Sequence, residues 1–404
     1  MQTVKNILFI TPEYPWINHP EGGLANYIRK TAAALNQRKF NAYVLAVTGR
    51  NLRWIDGNTH IYEVGLPFNN LQKNIANFLP VLGLVYWLLL LIKIRRTYIN
   101  IRTRIKLDLV QTSSYKFPAL LIPRSSTPLI CRISSISSDL RKAYGTMDSW
   151  VEKINDLSEK YQIDKADTLF APSSLLAKKI SRTNKKCQVI HSPMEAIDKS
   201  HLDWSLYKQK LYQKKYLLHF GTLSRIKGTD LISSIINPIC RNHRDIHFVF
   251  IGRDDGIPGG EKFTDIIRRQ NSEYLHRIIF LPPLSKNDLL PIVKKALVVL
   301  MPSRIDNYPN TCLEAMQVGT PVIGSRGSSI DEIIRDGYNG LLVENNSSRD
   351  LYRKINQYLD TSVYQKSKFR HNCLAYTRLF HKHDYLGQLI KFYEQTISTF
   401  QHPA

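Results

Sequence analysis

Apolar residues fall along this chain in short continuous runs, and between the runs they recur at every third or fourth position. Runs of this length fit buried strands, and the spaced positions fit helices that cover them. In the first half the runs are Ile7–Ile10, Ala42–Val47, Leu107–Gln111, Leu129–Arg132, Thr168–Ala171 and Gln188–His191. The second half repeats the pattern at Tyr216–Phe220, His247–Gly252, Ile278–Leu281, Ala296–Met301 and Pro321–Ile323. Strand and helix alternating in this way predict an α/β chain with parallel sheets and helices on both faces. A polar, charged segment from Ser192 to Lys215 divides the halves, predicting a first domain of residues 1–195 and a second of 210–384. At 404 residues the chain exceeds the roughly 250–300 that one core supports, so two doubly wound, Rossmann-like domains are expected. The cleft between two such domains would bring the carboxyl ends of both sheets together.

One run departs from the pattern. Residues Phe78 to Ile92 are apolar throughout and lead into Lys93, Arg95, Arg96, Arg102, Arg104 and Lys106. Fifteen residues fall short of the roughly 20 that a spanning helix needs, and Pro80 and Gly83 interrupt them, so no transmembrane segment is expected. Two readings stay open: a helix buried in the first domain, which is favoured, or an interfacial helix whose basic flank (78–106) meets anionic lipid. At the N-terminus, Ile7–Ile10 is too short for the apolar core of a secretion signal and runs straight into Thr11-Pro-Glu-Tyr-Pro. A cytoplasmic protein is the expectation, with peripheral contact at the inner face of the plasma membrane as the interfacial alternative.

Composition narrows the partners. A formal charge of +23 calls for an anion such as phosphate, nucleic acid or a membrane surface. No stacking aromatics are interleaved with the basic residues in a recognisable module, which argues against nucleic acid. The five cysteines are scattered, odd in number and without a C-x-x-C pair, so neither a disulfide framework nor a zinc knuckle is indicated.

The polar loops between strand and helix carry the candidate chemistry. After Ala296–Met301 comes a loop with Asp306, Asn307, Tyr308 and Asn310, then a helix from about Thr311 to Gly319. The carboxyl edge of a parallel sheet is where ligands sit, because helix N-termini aim unpaired N–H groups there. Thr311-x-x-Glu314 also reads as a capping box, in which Glu314 would satisfy only backbone donors. Arg225 and Lys227 lie in the loop between Tyr216–Phe220 and the next helix; a cationic pair there suits a diphosphate, or is simply a solvated loop. Gly22 and Gly23 stand between the first strand and its helix, where glycine either admits a phosphate or sugar to the backbone or makes a plain turn. Arg132-Ile-Ser-Ser-Ile-Ser-Ser-Asp139 offers hydroxyls, Ser134 among them, to a polyol, or is an ordinary polar loop. There is no G-x-G-x-x-G, which speaks against a nicotinamide or flavin dinucleotide.

Taken in order, Gly22-Gly23, Phe170-Ala-Pro-Ser173, Gly221-Thr-Leu-Ser-Arg-Ile-Lys-Gly228, Phe250-Ile-Gly252, Pro302–Asp306 with Glu314-Ala-Met, Gly319–Ile323 and Gly337–Val343 resemble retaining GT-B-fold glycosyltransferases of family 4, glycosyltransferase group 1. The resemblance covers most of the chain. It implies a hexosyltransferase that moves a sugar from a nucleotide-diphosphate sugar to a hydroxyl of a glycan, lipid-linked or small-molecule acceptor, as in polysaccharide biosynthesis. It also implies that a terminal helix, about 385–400, packs back on the first domain. The family's two acidic donor-site positions, seven residues between them, correspond here to Asp306 and Glu314. By the resemblance Glu314 accepts from the ribose hydroxyls, Asp306 lies beside the transferred sugar, and the backbone from Asn307 through Asn310 to Thr311 contributes N–H groups. Arg225 and Lys227, in the loop that Gly221 opens, hold the diphosphate, and Gly23 closes on the same phosphates or on the acceptor. Gly327-Ser328-Ser329, with Ser329-x-x-Glu332 as a capping box, adds donors near the sugar or diphosphate. Asp306, Arg225 and Lys227 would then be the catalytic groups. No D-x-D motif is present, so neither a metal nor a cofactor is expected. Three positions depart from the family pattern: Asp306 stands where Glu is usual and Thr222 where many members have Arg. In addition, no histidine occurs in Gln111–Ser114 or Arg132–Ser135. An epimerase of the same fold, or a non-catalytic basic protein that binds membranes or polyanions, is the alternative.

Overall fold

The computed structural model describes residues 4–15, 22–66, 80–146, 149–180, 185–257 and 260–401. The chain forms two compact units, Met1–Pro193 with Asp384–Ala404, and Met194–His383.

In the first unit the strands are β1 (Lys5–Thr11), β2 (Phe40–Val47), β3 (Arg53–Asp56), β4 (Thr59–Val64), β5 (Leu109–Ser113), β6 (Leu129–Arg132), β7 (Thr168–Ala171) and β8 (Cys187–Val189). They make one sheet in the order β3-β4-β2-β1-β5-β6-β7-β8. Every neighbouring pair is parallel except the hairpin of β3 and β4. The helices are α1 (Gly23–Asn36), α2 (Pro80–Arg104), α3 (Ser137–Tyr144), α4 (Trp150–Lys165) and α5 (Ser174–Ile180). The strand order reverses between β1 and β5, and the segments that leave these two strands diverge there.

The apolar run after residue 78 became α2, and the favoured expectation of a buried helix holds for one side only. Leu90, Leu91, Ile94, Tyr98 and Ile101 are buried against the sheet, whereas Val81, Leu82, Val85, Leu88 and Leu89 are 43–56% exposed. A run with no polar positions has no periodicity from which to tell its inner face from its outer one. Phe78 and Leu79 lie outside the described residues. Among the described residues no helix is long and apolar enough to cross a membrane.

The second unit contains β9 (Lys215–Phe220), β10 (Ile246–Ile251), β11 (Ile278–Leu281), β12 (Val298–Met301), β13 (Val322–Ser325) and β14 (Gly340–Val343). Its helices are α6 (Ser205–Lys210), α7 (Thr229–Asn242), α8 (Phe263–Gln270), α9 (Lys286–Lys295), α10 (Asn310–Gln317), α11 (Ser348–Asp360) and α12 (Val363–Lys382). The sheet, β11-β10-β9-β12-β13-β14, is parallel throughout. Its strands are short and apolar on both faces, with Leu217, Phe248, Phe250, Val298, Leu300 and Ile323 in one core beneath α7 and α11. Here the order reverses between β9 and β12.

From the second unit the chain returns to the first as α13 (Tyr385–Gln401). Leu389, Phe392, Tyr393 and Ile397 of this helix share a core with Ile7, Phe9 and Leu35.

Candidate functional site

In the second unit, the loop after β9 runs from residue 221 to Gly228, and the loop after β12 from Pro302 to Pro309. These are the two loops that diverge at the reversal of strand order, the position where parallel sheets bind ligands. Several contacts fix them to each other. Arg304 donates to both carboxylate oxygens of Asp230 at 2.7 Å, to the Arg225 carbonyl and, through Nε, to Asn346 at 2.9 Å. Gly228 caps α7 at φ +72°, and a Cβ there would fall 2.2 Å from the Pro302 carbonyl oxygen. Only glycine permits that approach. Below the loops, the Ser224 amide donates to the Thr229 hydroxyl at 2.9 Å, and that hydroxyl lies 3.4 Å from Nε2 of the fully buried His219. Nδ1 of His219 is 2.9 Å from the Leu300 carbonyl, which fixes the N–H on Nδ1 and ties the β9 loop to β12. Burial, which disfavours the imidazolium, and to a lesser extent the charge of Lys227 lower the pKa of His219 to about 4, against the opposing bond to Leu300.

Lys227 and Asp306, predicted separately, meet across the two loops. The ammonium lies 2.7 Å from Oδ2 of Asp306, with the lysine side chain 34% exposed and the aspartate 11%. Ser303 donates to the same oxygen at 3.2 Å, and the amide of Asn307 donates to Oδ1 at 3.0 Å. Ser329 fixes the other side of this loop. Its hydroxyl donates to the Asp306 carbonyl at 2.7 Å and accepts from the Tyr308 amide at 2.6 Å. That clamp supports Tyr308 in a left-handed conformation, φ +63°, with its ring stacked on Phe380. Ser329 and Arg304 went unrecognised as the parts that shape the loop. Their partners lie 21 to 79 residues away in sequence, and no local spacing announces them.

Two capping boxes expected from sequence are absent. Helix α10 starts at Asn310 with Pro309 as its N-cap and no side-chain cap, so Thr311 is already inside the first turn. The Thr311 hydroxyl points at the Met301 sulfur, 3.8 Å away. Pro309 fixes its own φ and lacks an N–H, which suits a helix start without a side-chain cap. Asn310, Thr311 and Glu314 occupy the partly exposed side of α10, while Cys312, Leu313, Ala315 and Met316 are buried. Ser329 likewise makes no cap to the 3-10 turn Ile330–Glu332, because its hydroxyl is engaged by the loop. Ser328 is fully buried and donates to the Ser325 carbonyl, so its hydroxyl is not presented to a phosphate. Arg225 is exposed, and its side chain makes no ion pair among the described residues. Gly221, at φ +117°, lies beside Thr311, and its carbonyl leaves no space for a side chain on Gly252.

In the first unit, Gly22 caps α1 and Gly23 opens it. A carboxylate already stands at this helix start: Glu13 accepts from the Ala25 amide at 3.1 Å, and a Cβ on Gly22 would lie 3.5 Å from it. Around Gly23 an added Cβ would meet no described atom of the chain within 4 Å, so the packing of the chain does not itself require glycine there. Ser134 accepts from Arg132 at 2.8 Å and from Ser113 at 3.2 Å. Arg132 itself is buried, stacked on the Tyr27 ring at 4.0 Å and bonded to the Ser134 and Ser192 hydroxyls. Its burial lowers its pKa.

Residues 207–380, which contain the whole site of the second unit, match the family Glycosyl transferases group 1. An uncharacterized glycosyltransferase of Methanocaldococcus jannaschii is 29% identical over 163 residues, 40% of this chain and 43% of that protein. The chain spans between 29% and 61% of the length of such curated relatives. Among solved structures, the sucrose-phosphate synthase of Thermosynechococcus elongatus superposes with a TM-score of 0.75 at 15% identity, covering 98% of this chain and 100% of that one. Anabaena HepE in complex with UDP and glucose gives 0.69 at 16% identity, covering 97% and 100%. The fold is thus that of the GT-B glycosyltransferases, and within it the second unit carries the match to Glycosyl transferases group 1.

Proposed function

We propose that the protein is a retaining hexosyltransferase that takes a sugar from a nucleoside-diphosphate donor bound at the carboxyl edge of its second unit. The observation that carries this reading is the Lys227–Asp306 pair at 2.7 Å, at the reversal of strand order, beside an exposed Arg225 that has no ion-pair partner among the described residues. Arg225 and Lys227 receive the diphosphate, the arginine through its planar fork and the lysine as a point charge. Glu314, one turn into α10 on the same partly exposed side as Thr311, accepts from the ribose hydroxyls. The N–H groups at the start of α10 and the Asp306–Asn307 turn lie beside the sugar. That HepE is a protein of this fold bound to UDP and glucose supports a nucleotide sugar as the donor class.

The reaction exchanges one bond at the anomeric carbon for another. The bond from that carbon to the diphosphate breaks through an oxocarbenium-like state while the acceptor oxygen bonds from the same face. The acceptor's proton passes to the departing phosphate oxygen. Negative charge grows on the diphosphate, and Arg225 and Lys227 stabilise it there without a divalent ion. Asp306 orients Lys227 and lies next to the transferred sugar.

Titration with a panel of nucleoside diphosphates and their sugars, read by calorimetry, tests the proposal. One of them should bind, and Glu314→Ala should weaken it by about tenfold or more, the loss expected when charge-assisted hydrogen bonds disappear. Unchanged binding in Glu314→Ala would sink the ribose assignment. Donor epimerisation without an acceptor would favour the epimerase of the same fold, and binding that depends on charge alone would favour a polyanion-binding protein.

A further inference from the structure

A second candidate site lies in the first unit, in a groove of about 770 Å³ formed by α2, α4 and residues 120–124. Three cations line it: Arg95 from α2, Arg124 from the connecting segment, and Lys165 from the last turn of α4. No carboxylate lines the groove, and none of the three makes an ion pair among the described residues. Lys165 donates to the carbonyls of Leu120 and Ile122, which holds its ammonium in place. Burial lowers its pKa, and the charges of Arg124 and Arg95 lower it further, as expected for three close cations.

Apolar side chains stand open around these charges. On α4, Ile154, Leu157 and Tyr161 recur at helical spacing and are 40%, 67% and 61% exposed. On α2, Val81, Leu88, Arg95 and Arg102 follow one another at seven-residue intervals and therefore form a single row. The first two are exposed apolar residues, and the last two are exposed arginines. No acidic residue occurs between Glu63 and Asp108.

Uncompensated cations between open apolar rows match one ligand chemistry, an anionic amphiphile. A partner protein would have to bring carboxylates and apolar side chains in this same layout. An anionic bilayer presents phosphates and acyl chains at every point of its surface. We propose that this face seats the first unit on an anionic membrane, with a lipid phosphate held by Arg95, Arg124 and Lys165 and the exposed rows of α2 and α4 pressed into the interface. This inference does not rest on the sugar-transfer reading.

The test is co-sedimentation of the full chain with vesicles of phosphatidylcholine alone and of phosphatidylcholine mixed with phosphatidylglycerol. Binding should require phosphatidylglycerol. Each of Arg95→Gln and Arg124→Gln should weaken it about fivefold, which corresponds to about 1 kcal/mol per basic residue at such a surface. Both arginines are exposed, so the folded chain should tolerate the changes. Leu157→Ser with Tyr161→Ser should weaken binding independently, while the melting temperature stays near that of the parent. Inorganic phosphate should displace the protein no more than chloride at equal ionic strength; stronger displacement by phosphate would mean a free-anion site and would overturn the proposal. Equal binding to both vesicle types, or full binding by the arginine and the Leu157/Tyr161 variants, would overturn it as well.

Discussion

The ammonium of Lys227 is paired with Asp306, and this pair decides how each residue should respond to mutation. Removing Lys227 takes a cation from the proposed diphosphate site and leaves Asp306, 11% exposed, with Ser303 and the Asn307 amide as its donors among the described residues. Lys227→Ala is expected to lower turnover by about 2–4 kcal/mol of transition-state stabilisation. Asp306→Ala frees the lysine but removes its orientation, and should also lower turnover. Because the two touch, the double variant should lose less than the sum of the single losses. Additive losses, measured as kcat/KM with the best donor, would show that the pair does not act as a unit. At this scale the sequence made the charged residues of the loops visible, Arg225, Lys227, Asp306 and Glu314, because their types and local spacing suit an anionic, hydroxyl-bearing ligand. It did not make visible that Lys227 and Asp306 bond to each other, a contact across 79 positions.

Between elements, the β9 and β12 loops behave as one body joined by Arg304. Its side chain is 10% exposed and reaches Asp230, Asn346 and the Arg225 carbonyl, so it positions the β9 loop. Arg304→Lys keeps the charge but loses the fork that engages both oxygens of Asp230. The expected outcome is a loss of about 2 kcal/mol of stability together with a raised donor KM. Circular dichroism melts and donor titration measure the two effects, and a variant with unaltered donor KM would limit Arg304 to folding. The short apolar runs disclosed most of the strands in both sheets, because strands covered on both faces are apolar throughout. They did not disclose the polarity of α2, whose outer row is as apolar as its inner one, nor the β3–β4 hairpin, which is polar on alternate positions and lies at the edge of its sheet. The capping boxes misled for a related reason. Ser329 and Thr311 have the right neighbours for a cap, but their hydroxyls are taken by partners that only the folded chain supplies.

At the scale of the whole molecule, each unit has its own core and its own buried titratable group, and the two groups respond to pH in opposite directions. In the first unit Glu159 is 4% exposed and accepts from the Ser137 amide at 3.0 Å. Burial raises its pKa from 4.5 to about 7. The folded state therefore holds a proton that the unfolded state gives up. Its stabilising contribution is complete below pH 4.5 and is lost as pH rises toward 7, by at most about 3 kcal/mol. In the second unit His219 behaves in reverse. Its folded pKa of about 4 lies below the ordinary 6.5, so its contribution is complete above pH 6.5 and is lost as pH falls toward 4. Hydrogen exchange of peptides from each unit, corrected for the intrinsic pH dependence of exchange, reads the two trends in a single sample. Between pH 4.5 and 6.5 the peptide containing Glu159 should lose protection as pH rises, while the peptide containing His219 gains it. Glu159→Gln, which mimics the protonated side chain, should flatten the first trend and leave the second alone. If the two peptides drift together, or if Glu159→Gln changes neither, then these buried groups do not govern the pH response of their units.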